Sequence, residues 1–140
     1  MERILLVTAE PWARNALSLL RQCPGDFEVI HAIDGAQGLY YMSQSIYAGT
    51  PYQLLILTAP LPKISVESTL ASIRAIEKGL NRPPYPCLIC TSDPTPEGLL
   101  ASHPQTLHLQ TPEGPQAASM VTAATLQIMS RLRRFQEEIQ

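Results

Sequence analysis

The tightest limit on what this chain can fold into is set between Tyr52 and Pro62, where the sequence reads YQLLILTAPLP. Leu54 to Leu57 is an uninterrupted aliphatic run, and Pro60 and Pro62 close it from behind. A run with no polar alternation predicts a strand covered on both faces, and the Pro-x-Pro predicts a loop directly after it. In an open α/β sheet, the residue at the C-terminal end of such a strand faces the functional crevice. That residue is Thr58.

The remaining segments fit around this strand. Ile4 to Val7 is a second aliphatic run, followed by Thr8-Ala9-Glu10-Pro11 and a helical stripe of Ala13, Ala16, Leu17 and Leu20, with Pro11 in the first turn. Cys23-Pro24-Gly25 ends that helix, and Phe27 to Ala32 reads as a strand. Asp34 is placed to cap a helix carrying Leu39, Met42 and Ile46. After Pro62 a helix is predicted from about Ser65, with Val66, Leu70, Ile73 and Leu80 on one side. Pro86 to Thr91 is a fourth strand, a short helix follows from Thr95, and Leu107 to Gln110 is a fifth strand. The last apolar line, Val121, Ala124, Ile128, Leu132, Phe135 and Ile139, predicts one helix running nearly to Gln140. From Gln116 it would span about 37 Å at ~1.5 Å per residue, longer than a small sheet can cover. Strand and helix alternating five times imply right-handed crossovers, a parallel sheet and helices on both faces.

Bulk properties narrow the function classes. A chain of 140 residues, 45% hydrophobic and 16% charged with net charge −2, is an ordinary globular domain with no strong pull towards nucleic acid or membrane. Four aliphatic residues after Glu2-Arg3 are too few for a signal-peptide core, and no apolar run approaches a membrane span. Three cysteines suit a reducing compartment, so a cytoplasmic protein is expected. The 13 prolines fall at loops and helix starts and mark no linker.

Arg3 to Val7 with Glu10-Pro11, Ala32 to Gly35, Leu54 to Pro62, Ile73-Arg74, Pro86 to Thr91 and Leu109 to Pro112 come in an order and spacing that resembles the receiver domain of two-component response regulators. The resemblance covers roughly residues 2 to 130. It implies a flavodoxin-like, doubly wound five-stranded parallel sheet of order 2-1-3-4-5, flanked by five helices. Residues 1–130 would form this domain, and residues 131–140 would extend the last helix as a dimerisation element or a linker to an output segment. Receiver chemistry needs an acceptor aspartate, two further acids for Mg²⁺, a Ser or Thr, and a lysine. Here the acceptor position is Thr58, the acidic pair is Thr8-Ala9, and the lysine position is Thr111; Glu10 and Thr91 match. A threonine hydroxyl cannot form an acyl phosphate and is a weak nucleophile without a base. Neither catalytic residues nor a metal or other cofactor is therefore expected, and the crevice becomes a neutral one that hydroxyl hydrogen bonds can hold. The resemblance also implies a cis Thr111–Pro112 peptide, and it places His108 where receivers often carry a switch aromatic.

Other sharp readings give way to plainer ones. Cys87 and Cys90 have CxxC spacing, but residues three apart on a strand point to opposite faces, which favours buried small hydrophobes over a redox or zinc pair. His31, His103 and His108 are scattered without ligand spacing. Ser65 and Ser68 suit helix capping better than nucleophilic chemistry. Thr8-Ala9-Glu10-Pro11 offers no glycine and no free proline amide for a phosphate cradle. Arg131, Arg133 and Arg134, offset by Glu137 and Glu138, read as a solvated helix face and not as a nucleic-acid contact. Past the sheet, Leu132, Phe135 and Ile139 need a partner, either a second copy or a following segment. The expected function is a pseudo-receiver signalling domain acting through a protein partner. The alternatives are a small-ligand sensor using the neutral crevice, the N-terminal regulatory domain of a transcriptional regulator, and, more weakly, a Ser/Thr kinase target at Thr58 or Thr91.

Overall fold

A computed structural model of the chain describes residues 2–23, 27–92, 105–112 and 114–139, with the side chains of residue 27 and residues 135–139 outside that description. The elements are β1 (Glu2–Val7), α1 (Ala13–Gln22), β2 (Phe27–Ala32), α2 (Gly35–Ala48), β3 (Leu54–Thr58), α3 (Val66–Gly79), β4 (Cys87–Thr91), β5 (Thr106–Gln110) and α4 (Gln116–Ile139). All strand pairs are parallel, in the order β2-β1-β3-β4-β5. This is the flavodoxin-like sheet expected. Four of the five expected helices fall within the described residues; the one anticipated from Thr95 lies outside them.

The aliphatic runs fill both faces because side chains alternate along a strand. Ile4, Leu6, Leu54, Ile56, Leu88 and Cys90 pack towards α1 and α4. Leu5, Val7, Leu55, Leu57, Cys87 and Ile89 pack towards α2 and α3. Cys87 and Cys90 thus face opposite layers as the spacing requires. Burial pushes both thiols up to about 12, which removes the thiolate that redox or metal chemistry needs.

The helices depart from the sequence reading in four places. Helix α1 begins at Ala13 and not at Pro11, which lies in the preceding turn. In α2 the buried line is Gly35, Gly38, Met42 and Ser45, while Leu39 and Ile46 are only partly buried. The helix lies so close that a Cβ on Gly38 would stand 2.9 Å from Val7 Cγ2, so small residues carry the contact that aliphatic ones were expected to make. Leu80 is not on the apolar side of α3; it caps the C-terminus and is exposed, because the helix stops at Gly79. In α4, Met129 is buried and Leu132 packs against the core, while Arg133 pairs with Glu2 at the start of β1. The helix therefore stays tied to the sheet at least through Arg133.

Asp34 caps α2 as expected, its Oδ1 accepting from Gln37 N at 2.7 Å, and Lys63 Nζ lies 3.4 Å from Oδ2. The Gln37 bond first, and Lys63 after it, hold the carboxyl below the usual value of 3.8. A depressed folded value contributes stability that is present above the unfolded pKa and is lost as pH falls through the folded one. Urea midpoints should therefore fall as pH drops below about 4. Asp34→Asn, which keeps a capping oxygen, should lose less over that window; an unchanged acid slope in the variant would remove Asp34 as its source.

Candidate functional site

The C-terminal strand ends open into a cleft of about 430 Å³. The register that pairs Ile4 with Leu54 and Leu6 with Ile56 carries forward to set Thr8 beside Thr58, both pointing to the α1 side. Thr58 Oγ1 donates to Thr8 Oγ1 at 2.6 Å, and Thr8 Oγ1 also accepts from Glu10 N at 3.1 Å. Thr58 is 1% exposed and Thr8 is fully buried. Two buried hydroxyls and a backbone amide thus satisfy one another. Thr8 O lies 3.0 Å from His31 Nε2; since a carbonyl only accepts, that nitrogen carries the ring proton.

Thr58, Thr111 and Glu10 line this cleft together with Trp12, Cys90 and Ser92. Thr111 extends the β4–β5 ladder, its N–H donating to Thr91 O at 2.9 Å. Thr91 itself does not line the cleft: strand alternation places it with Cys87 and Ile89 on the α2 and α3 side. Ala9 is exposed and also absent from the lining. His108 is a partly exposed strand residue beside Ile89, and its buried Nε2 has no hydrogen-bond partner among the described residues. Phe135 and Ile139 lie outside the described side chains. The peptide expected to be cis, Thr111–Pro112, is trans; the cis bond among the described residues is Ala59–Pro60. The resemblance at residues 109–112 therefore rests on strand position alone.

Trp12, Ser92, Asn15 and Pro115 line the cleft but carry no signal of that role in the sequence. They come from three separate loops and helix starts that only the folded topology brings together.

The donor set does not suit the divalent cation that receiver chemistry uses. Mg²⁺ demands an octahedron of hard oxygens built on carboxylates, whereas among the described residues the strand ends supply threonine hydroxyls and one carboxylate, that of Glu10. Among the described residues, no group of three His, Cys, Asp or Glu could hold a metal ion. The buried, engaged Thr58 hydroxyl is equally unsuited to attack by a protein kinase.

The strand order agrees with solved structures. The Mn(2+)-bound form of response regulator Rcp1 matches 88% of this chain and 91% of its own, with a TM-score of 0.69 at 23% identity. This chain has the receiver fold. The phosphorylated cyanobacterial phytochrome response regulator RcpA matches at TM-score 0.70 and 20% identity, over 88% of this chain and 90% of its own. A CheY-like receiver domain protein from Methanospirillum hungatei JF-1 matches 99% of this chain and 98% of its own, at TM-score 0.67 and 17% identity. No family model matches the sequence. No curated protein matches it either.

Proposed function

We propose that the chain is a pseudo-receiver: a non-catalytic signalling domain with the receiver fold that is not phosphorylated on aspartate and acts by binding a protein partner. One observation carries this reading. At the end of β3, where receiver chemistry needs a carboxylate, stands Thr58, buried and hydrogen-bonded to Thr8. Two hydroxyls cannot bind Mg²⁺ as paired acids do, nor form an acyl phosphate. Structures of the same fold carry Mn²⁺ or a phosphoryl group, and among the described residues this crevice has neither the paired acids nor, at the end of β3, the acceptor carboxylate.

The surface formed by β5 and α4 supports a protein contact. Leu107, on the edge strand, is 51% exposed and borders a groove of about 340 Å³ with Ile128 and Leu132. The partner on this face is read as a different protein and not as a second copy docked through α4, because Leu132 already packs partly against the core. No helix among the described residues is long and apolar enough to cross a membrane, and a cytoplasmic setting forms part of the proposal.

The test is titration of the full chain with BeF₃⁻ and Mg²⁺, or with acetyl phosphate, followed by NMR of the amides around Thr58. No saturable change is expected at Thr8, Thr58, Thr91 or Thr111. Saturable shifts localised at those residues would overturn the proposal.

A further inference from the structure

We infer that the outer face of α2 is a docking surface for a second copy of this chain, in a two-fold pairing of α2 against α2. The inference does not depend on the chemistry of the crevice. It starts from charge: between Gly35 and Pro62 the sequence contains no Asp, Glu, Lys, Arg or His. For β3 this follows from burial, since every residue of the strand is inside. Helix α2 is different, because Ala36, Tyr40, Ser43, Gln44, Tyr47 and Ala48 are exposed to solvent. A surface helix ordinarily carries charge on its outer side. Depletion of charge with enrichment in tyrosine is the composition of an interface centre.

The tyrosines are concentrated accordingly. Four of the chain's five, Tyr40, Tyr41, Tyr47 and Tyr52, line one open groove beside α2. Tyr47 is 96% exposed and Tyr40 is 58% exposed, seven residues apart and so on one face, with Gln44 between them donating to Tyr40 Oη at 2.7 Å. The inner face is already committed to glycine-mediated contact with the sheet, so this outer stripe has no partner within the described part of the chain.

A second copy is the occupant that this surface fits. An isologous pair apposes the same patch to itself, so any uncompensated charge would meet its like; here the helix carries none. Arg3, the cation in the groove, faces Glu28 at 3.4 Å and stacks on Tyr52 at 4.7 Å, so it too is compensated. The patch also contains both halves of a contact. Tyr47 projects from its rim, and the groove beside it, about 760 Å³, has room for the partner's ring. Tyr40 and Tyr47 offer roughly 300 Å² per copy at ~200 Å² per ring. Two copies thus supply about half of the ~1,200 Å² that a small specific interface needs from these rings alone. Ser43, Gln44 and Ala48 line the same groove.

Sedimentation of the full chain across a concentration series tests this, using Tyr47→Glu and, as a second-face control, Leu107→Glu. Both positions are solvent-facing, and unchanged circular dichroism would confirm that each variant folds. The expected result is a reversible dimer whose Kd rises by at least about 30-fold in Tyr47→Glu, the effect of losing a residue central to an interface, and is unchanged in Leu107→Glu. A monomer at all accessible concentrations would overturn the inference and leave the stripe to a different protein. A dimer broken by Leu107→Glu and not by Tyr47→Glu, or one unaffected by both, would overturn it as well.

Discussion

Replacing Glu77 with alanine should lower the stability of this domain by about 3–5 kcal/mol, the usual cost of removing one partner of a buried ion pair. Glu77 is 2% exposed, although it lies in α3 near a surface loop. Both of its carboxylate oxygens accept from Arg74 Nη1, at 2.8 and 2.9 Å, and Oε2 also accepts from Tyr85 N just ahead of β4. Arg74 is buried with it, and its Nη2 reaches Thr106 Oγ1 on β5 at 3.3 Å. The Arg74–Glu77 pair therefore fastens α3 to the entries of β4 and β5. Loss of Glu77 leaves the Arg74 cation without its counter-charge and the Tyr85 amide without its acceptor. For a domain of this length the thermal midpoint should fall by roughly 10–15 °C. The double variant Arg74→Met/Glu77→Gln removes both charges while keeping an acceptor for Tyr85 N, and it should recover more than half of that loss. Should the double variant melt as low as Glu77→Ala, the stranded Arg74 charge would not be the cause.

Gly35→Ala is the second large effect, and it runs against helix propensity. Alanine would ordinarily stabilise a helical position by about 0.5–1 kcal/mol relative to glycine. At residue 35, however, a Cβ would stand 2.2 Å from Thr69 Oγ1 and 3.1 Å from Ile64 Cβ. Thr69 is fully buried and short, so it has nowhere to swing. Overpacking of this kind costs about 1–3 kcal/mol, and the net expectation is a loss of about 1–2 kcal/mol. Thr69→Ala alone should be mild, because Thr69 Oγ1 has no hydrogen-bond partner among the described residues. Combining the two should restore most of the stability, giving a favourable coupling of about 1 kcal/mol in a urea double-mutant cycle. Strictly additive losses would show that the α2–α3 contact is looser than these distances state.

Much of the architecture was legible because its determinants are local. A strand covered on both faces must be apolar at consecutive positions, so Leu54 to Leu57 announced the centre of the sheet and Thr58 its exit. Asp34 and Ser65 announced helix starts, since a cap acts on amides two or three residues away. Features created by distant residues were not legible. The burial of Glu77 is one such feature: Arg74 three positions earlier is a cue in the sequence, but the Tyr85 amide that completes its burial comes from another element. The purpose of Gly38 is another, since only the approach of Val7 requires a glycine there. The cleft could be anticipated at the strand ends, yet Thr91 was assigned to it and Ser92 was not. A strand's last residues alternate sides, and a one-residue uncertainty at the end exchanges one for the other. Leu132 was read as outrunning the sheet because sequence gives helix length but not where the helix crosses the strands beneath it.

The charge-free span that includes α2 and β3 also bears on the chain before it folds. Hydrophobic strand segments are commonly flanked by charged gatekeepers that oppose cross-β association. Around Leu54 to Leu57 the nearest charges in sequence are Asp34 and Lys63, too far upstream and barely close enough downstream to serve that purpose. Pro51, Pro60 and Pro62 stand at the borders instead. A proline cannot donate to a growing ladder, so these three confine any intermolecular strand to the few residues between them. In this domain, protection against aggregation while the core strand is still exposed falls to backbone geometry in place of electrostatic repulsion.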